Sequence, residues 1–227
     1  MIRKKTIRLD RNGRVDIYAA LRATSVKILG LLAVMVLAHA PAAAQADPSS
    51  GPIDTWLASV DEARQAADFP GLESVEGTPV DAPQQDAPTT PADCKAAFGQ
   101  QAAYGGSPFT AFRSTTYRGF TDTEPGKPRG IVMITQSVGL YPDHRAAQDA
   151  LNRLAPSLAK CTELHDKLFD FTTSKPDPST IKLVASFHTN AVYKVESSAL
   201  VHVSVMGIPN SEQATQRILD TIASRIA

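Results

Sequence analysis

The sequence predicts an α+β protein: an antiparallel β-sheet flanked by helices, with a disulfide joining two helices to one layer. Three observations predict it. Segments in the second half alternate apolar and polar residues with period two, and segments with a helical apolar stripe follow them. The links between neighbouring strand-like segments are short, as antiparallel pairing requires. The only two cysteines, Cys94 and Cys161, lie beyond an N-terminal stretch that reads as an export signal.

In that stretch, residues 1–27 carry eight Lys or Arg against Asp10 and Asp16. Residues 28–38 are an apolar run, and small residues including Ala44-Gln45-Ala46 follow. The run stops at His39 and Pro41, well short of the roughly twenty apolar residues that a spanning helix needs. The expectation is a signal peptide over 1–46, cleaved after Ala46, which meets the membrane only transiently. Its alternatives are an uncleaved membrane anchor or a start placed too far upstream. No cysteine lies near the cleavage point to take a lipid.

Removal of residues 1–46 takes eight of 23 basic and two of 23 acidic residues, leaving 15 against 21 and a net charge near −6. Such a surface repels phosphate backbones and anionic lipid, so nucleic acid is excluded as a partner. The remaining 181 residues suffice for one domain with a sizeable core. Two cysteines in an oxidising compartment read as one disulfide. Two free buried thiols are the alternative, and a metal site would need a nearby histidine pair that the sequence lacks.

Residues 47–68 read as a polar tail and a short helix. Ser59-Val60-Asp61-Glu62 has the form of a capping box, the helix runs to about Ala67, and Trp56 and Leu57 staple its start to the core. Residues 69–91 contain five prolines and few large apolar residues after Leu72, so they are expected not to pack and to form an extended linker or long loop.

The compact part spans 92–227. Residues 92–103 predict a helix carrying Cys94 and Phe98, and 112–120 a strand centred on Thr115, Thr116 and Tyr117. A turn follows at Glu124-Pro125-Gly126-Lys127-Pro128. Residues 131–140 predict the clearest strand, with Val132, Ile134, Val138 and Leu140 on one face and Gln136 interrupting it. Asp143 caps a helix striped by Ala147, Leu151, Leu154 and Leu158 and ending at Cys161, with Pro156 distorting its last turn. Strands are then expected over 180–188, with Ile181, Leu183, Ala185 and Phe187 on one face, over 191–195 after a Thr189-Asn190 turn, and over 200–206, with Val201, Val203 and Val205 inward. Asn210 caps a last helix striped by Ala214, Ile218, Ile222 and Ile226.

Catalytic signatures are not found. Of the five histidines, His39, His144, His165, His188 and His202, none stands at metal-ligand spacing with another ligand, so no metal or cofactor is expected. His165-Asp166 are adjacent and do not face each other as a base and its orienter would. Tyr104-Gly105-Gly106-Ser107-Pro108 reads as a tight turn, and no nucleophile elbow or phosphate-cradling loop is present. The chain is expected not to be an enzyme. Gln136, on an apolar strand face, either has buried partners or lines a wet pocket. With His188 and His202, on the faces opposite the Phe187 and Val201 sets, it forms the candidate ligand-binding set. The bland reading is a satisfied core amide and two solvated imidazoles.

The run Ile134-Thr135-Gln136-Ser137-Val138 through Tyr141-Pro142-Asp143, the helix from Ala146-Ala147-Gln148-Asp149-Ala150-Leu151 to Cys161, and Ala199-Leu200-Val201 to Val205 with the last helix resemble the extracellular sensor domains of mycobacterial PknH-like Ser/Thr kinases and their stand-alone secreted or lipoprotein relatives. The resemblance covers the chain from about Trp56 to its end. It implies an antiparallel sheet flanked by helices around a cleft for an unidentified ligand, and it matches Cys94 and Cys161 to the family's first disulfide. The second disulfide's positions, near 196–198 and near Met206, hold no cysteine. A whole bond is missing, which leaves that end of the cleft unfastened. The kinase and its spanning helix do not accompany the domain. The expected function is a secreted, extracytoplasmic binding module for a small ligand or a cell-envelope component. The alternative is an envelope protein-interaction or structural module with a protein partner.

Overall fold

The period-two segments assemble into one seven-stranded antiparallel sheet in the computed structural model, which describes residues 52–106, 108–121, 128–164 and 169–226. The strands are β1 (Glu73–Ser74), β2 (Ala111–Phe120), β3 (Ile131–Leu140), β4 (Phe171–Asp177), β5 (Thr180–Ala185), β6 (Thr189–Glu196) and β7 (Ala199–Met206). Their order is β1-β2-β3-β7-β6-β5-β4. The helices are α1 (Val60–Ala67), α2 (Lys95–Phe98), α3 (Gln100–Tyr104), α4 (His144–Glu163) and α5 (Ser211–Ile226), with short 3-10 turns at Pro52–Thr55 and Ala92–Cys94. The expected signal peptide, the 124–127 part of the expected turn, and His39, His165 and Asp166 lie outside the described residues.

Each face of the sheet has its own core. On the first, Val132, Ile134 and Val138 of β3 and Val201, Val203 and Val205 of β7 pack under α1 and α5. Ala214, Ile218 and Ile222 are buried in that cluster, and Ile226 packs against it, which is the stripe that 3.6-residue periodicity demands. Ser59 and Glu62 form the reciprocal capping box, with the Glu62 backbone N–H donating to Ser59 Oγ and the Ser59 N–H to Glu62 Oε2. Trp56 and Leu57 pack on the same cluster.

On the opposite face α4 seats Ala147, Leu151, Leu154, Leu158 and Cys161 against Phe112, Tyr193 and Leu200. Asp143 caps α4 by accepting from the Ala146 N–H at 2.8 Å. The helix carries Pro156 within it and runs on to Glu163. Cys161 bonds to Cys94, with Cα atoms 4.7 Å apart, and so fastens the 3-10 turn before α2 to α4.

Several expectations are corrected. The helix over 92–103 is three short pieces, because Gly99 takes an extended backbone, φ −121° and ψ 136°, that interrupts the ladder. The strand begun at Thr180 ends at Ala185: Phe187 and His188 sit at φ 58° and 52°, a left-handed geometry that no strand contains. Thr189 and Asn190 therefore belong to β6 and not to a turn. Strand β4 was missed because it is an edge strand with Pro176 in it, exposed at every residue after Phe171 and so without apolar alternation. Residues 69–91 do pack. Leu72 is fully buried, β1 pairs with β2, and Val80 exchanges backbone hydrogen bonds with Ser114 at 2.8 and 3.0 Å. Backbone pairing along β2 supplies what the scarce apolar side chains could not.

Gly207, at φ 89°, needs to be glycine, since a Cβ there would stand 2.1 Å from the Ile131 carbonyl oxygen.

The disulfide closes a long loop, with a sequence separation of 67. Replacing both cysteines by alanine is expected to lower unfolding free energy by roughly 4 kcal/mol on the chain-entropy argument. Urea denaturation of the wild type and the double variant measures it. Coincident midpoints would show that the bond restrains nothing.

Candidate functional site

Because α4 covers only part of its face, a cleft remains beside it. Its volume is about 590 Å³, and its floor is the sheet itself from β2 to β5. One wall is the Pro-rich segment from Val75 to Ala87, and another is the α2–α3 corner with Ala97, Gly99 and Gln100. Phe187 stands at the rim on the β5–β6 turn, 84% exposed, its carbonyl accepting from the Gly207 N–H at 3.1 Å.

Antiparallel register sets the floor in rows. One row runs Ser137, His202, Tyr193, Ile181, and the next runs Thr116, Thr135, Ser204, Ala191, Leu183. A third runs Arg118, Met133, Met206. Most of the polar groups around the floor are already engaged. Thr116 and Thr135 bond hydroxyl to hydroxyl at 3.3 Å. The Tyr193 hydroxyl donates to Ala96 O at 3.0 Å, and that of Tyr104 to Ser137 O at 3.2 Å. Gln100 accepts from the Gln84 N–H and donates to Ser114 Oγ, which ties the Pro-rich wall to the floor.

His202 brings a buried group with no such bond. It is buried, 9% exposed, and its ring stacks on Tyr193 with centroids 4.4 Å apart and planes 24° from parallel. Its Nε2 has no partner among the described residues. The Tyr141 hydroxyl, also unpartnered, lies in the cluster under α4 and does not line the cleft. Burial drives the His202 pKa down to about 4, so the imidazole is neutral at physiological pH. Burial also raises the pKa of Tyr193, with the Asp86 carboxylate adding to the effect, and that of Tyr104, so both phenols stay protonated.

The three sequence candidates therefore separate. His202 lines the cleft, but not as a solvated imidazole: the face opposite Val201 is covered as well. His188 is exposed on the β5–β6 turn and does not line it. Gln136 points to the other face, where its Oε1 accepts from the Ala58 N–H at 2.8 Å and its Nε2 donates to Ala58 O at 2.7 Å. It is a satisfied core amide that clamps the chain entering α1. Of the residues that sequence reasoning passed over, Thr135 and Ser204 were signalled by the same alternation that identified β3 and β7, since they are polar positions opposite the valine faces, whereas Thr116 on β2 is placed only by its pairing with Thr135. No cluster of His, Cys, Asp or Glu able to hold a metal occurs among the described residues, and no helix among them is long and apolar enough to cross a membrane.

A seven-stranded antiparallel sheet with helices on both faces, and a cleft beside the helix on one of them, is the class of domain that this geometry defines. Residues 48–225 match the family of PknH-like extracellular domains, and the chain belongs to that family. The fold is similar to the crystal structure of the extracellular domain of PknH from Mycobacterium tuberculosis, with a TM-score of 0.56 and 20% identity over 76% of this chain and 93% of that one. At that identity the likeness bears on the fold alone. No curated protein matches.

Two outcomes are expected. Gln136→Leu leaves both Ala58 backbone groups without their amide partner and should cost about 2 to 3 kcal/mol in urea unfolding, with cleft properties unchanged. For His202 the folded pKa lies below the ordinary value of about 6.5, so the unfolded chain binds the extra proton between about pH 6.5 and 4. Stability from this group is whole above that window and falls as pH drops through it, by roughly 3 kcal/mol. His202→Phe should flatten that part of the stability curve, and an unaltered slope would refute the buried neutral imidazole.

Proposed function

We propose that this chain is a secreted, extracytoplasmic binding module that holds a small ligand or envelope component in the cleft, and that it is not an enzyme. The unpartnered Nε2 of His202 on the cleft floor carries this reading. An orphaned buried nitrogen costs roughly 1 to 3 kcal/mol, and a ligand that bonds it recovers that energy as affinity. The cavity of about 590 Å³ falls in the size range of small-molecule sites. Among the described residues no floor hydroxyl is hydrogen-bonded to a base: those of Thr116 and Thr135 bond to each other, those of Tyr104 and Tyr193 to backbone, and the His202 ring stacks on Tyr193. The basic and apolar order of residues 1–38 supports export through a signal peptide over 1–46, with an uncleaved anchor as the alternative. In this reading the described residues of the 47–68 segment brace one face, those of 69–91 wall the cleft, and those of 92–227 supply its floor. The disulfide holds both helical segments to the cleft's layer.

A second reading, a protein-interaction module of the envelope, draws on Phe187, whose 84% exposure presents a large apolar ring at the rim. Native mass spectrometry of protein purified from its own envelope separates the two. The expected result is co-purified small-molecule mass in the wild type that is lost in Ser204→Phe and in Thr135→Phe, each of which fills the cleft from a different strand. Urea midpoints verify that each variant is folded. Protein without small-molecule mass that captures a partner chain, and releases it on Phe187→Ser, would establish the second reading in place of the first.

A further inference from the structure

The rows of the cleft floor change character from one side to the other. Under β2, β3 and β7 they present the hydroxyls of Thr116, Thr135 and Ser204 and the free Nε2 of His202. Under β5 and β4 the same face presents Leu183, Ala185 and Phe171, with Ala191 of β6 between the halves. Phe187, from the turn beyond Ala185, adds an exposed aromatic ring at the rim. Charge is kept off the first two rows, with Arg118 at the β2 end of the third row and Asp86 on the Pro-rich wall. Glu76, Asp86, Arg118 and Asp170 are the ionisable lining residues apart from His202 and the tyrosines. Glu76, Arg118 and Asp170 are exposed, and the half-buried Asp86 already accepts from the Ala102 N–H at 3.3 Å. A charged ligand group seated on this floor would lose its hydration with no opposite charge beneath it, which costs several kcal/mol. A wholly polar ligand would set its polar groups against the Leu183, Ala185 and Phe171 half without hydrogen-bond partners, and a wholly apolar one would leave His202 Nε2 unpaired.

Resting on the proposed binding role, we infer that the cleft selects an uncharged amphiphile: a hydroxyl-bearing head on the Thr116, Thr135, Ser204 and His202 half and an apolar tail over Leu183, Ala185 and Phe171. A head hydroxyl donates to or accepts from His202 Nε2 according to the tautomer, while the tail displaces water from the apolar half. The methionines of the third row, Met133 and Met206, adapt to the shape at the boundary through their flexible thioethers.

The test uses four simple probes with the purified protein at neutral pH, below any micelle concentration. Octyl glucoside has a neutral hydroxylated head and a tail, octanoate and octyltrimethylammonium keep the tail with a charged head, and methyl glucoside has the head alone. Calorimetry and NMR of the His202 and Tyr193 rings read binding. Octyl glucoside is expected to bind and to shift both rings, with each of the other three weaker by about tenfold or more. His202→Phe, which keeps a stacked ring and removes the nitrogen, is expected to weaken octyl glucoside by roughly five- to tenfold. Leu183→Asn is expected to weaken it without abolishing the ring shifts at saturation. Equal binding of octanoate or of the ammonium probe overturns the inference. So does tight binding of octyl glucoside that His202→Phe leaves unaltered. If none of the probes binds while the envelope-derived small mass persists and is lost in Ser204→Phe, the ligand class is wrong and the binding role stands. If the mass is absent too, both fall.

Discussion

The register of β3 against β2 and β7 is the constraint on which the rest of the structure depends. Ser137 opposite His202 and Gln136 opposite Val203 are fixed by the same ladder, and neighbouring residues on a strand face opposite ways. A slip of one residue would turn His202 and Ser204 into the valine core and drive Val203 into the cleft. Burial on both faces makes such a slip prohibitive, because each buried valine contributes on the order of 2 kcal/mol and five of them, with Ile134, stand on one face of β3 and β7 alone. Core and cleft are thus two readings of one alternation.

The face away from the cleft is held by contacts distant in sequence. Ala58, just ahead of α1, donates its N–H to Gln136 Oε1, and its carbonyl accepts from Gln136 Nε2 and from the Tyr117 hydroxyl at 2.8 Å. Arg225 near the end of α5 pairs with Glu62 and donates to Leu57 O at 2.7 Å, while Asn210 at the start of α5 donates to Ala67 O at 3.0 Å. The two ends of the described chain therefore brace each other across α1 and α5. That bracing leaves the sheet free to present its other face.

The cleft face is held by long-range contacts of its own, among them the Tyr193 hydroxyl bonded to Ala96 O. The disulfide anchors the α2–α3 corner to α4, and the Gln84–Gln100 and Val80–Ser114 bonds lay the Pro-rich segment along the cleft's edge. At the β5–β6 turn, two consecutive non-glycine residues in left-handed geometry hold Phe187 out to solvent. Left-handed backbone costs roughly 1 to 2 kcal/mol per such residue, so neighbouring contacts such as the Gly207 N–H to Phe187 O bond sustain the turn.

Local pattern was enough for the class of fold, for β3, β7, α4 and α5 with their buried stripes, for the Ser59 and Asp143 caps, and for the pairing of the only two cysteines, because each of these is set by residues within a few positions or by the lack of any competing partner. The alternation also fixed which residues share a face with His202. It could not say that this face is covered, because much of the cover comes from segments far along the chain, the Pro-rich wall and the α2–α3 corner, and the rest from the Tyr193 ring that pairing of β6 with β7 lays on His202. Nor could it resolve Gln136, whose partners stand 78 positions away, or find β4, an edge strand whose exposed side chains leave no periodic trace. Short-range periodicity and capping are written in the sequence, whereas burial of a polar group is decided by what the folded chain brings over it, and only the tertiary structure determines that.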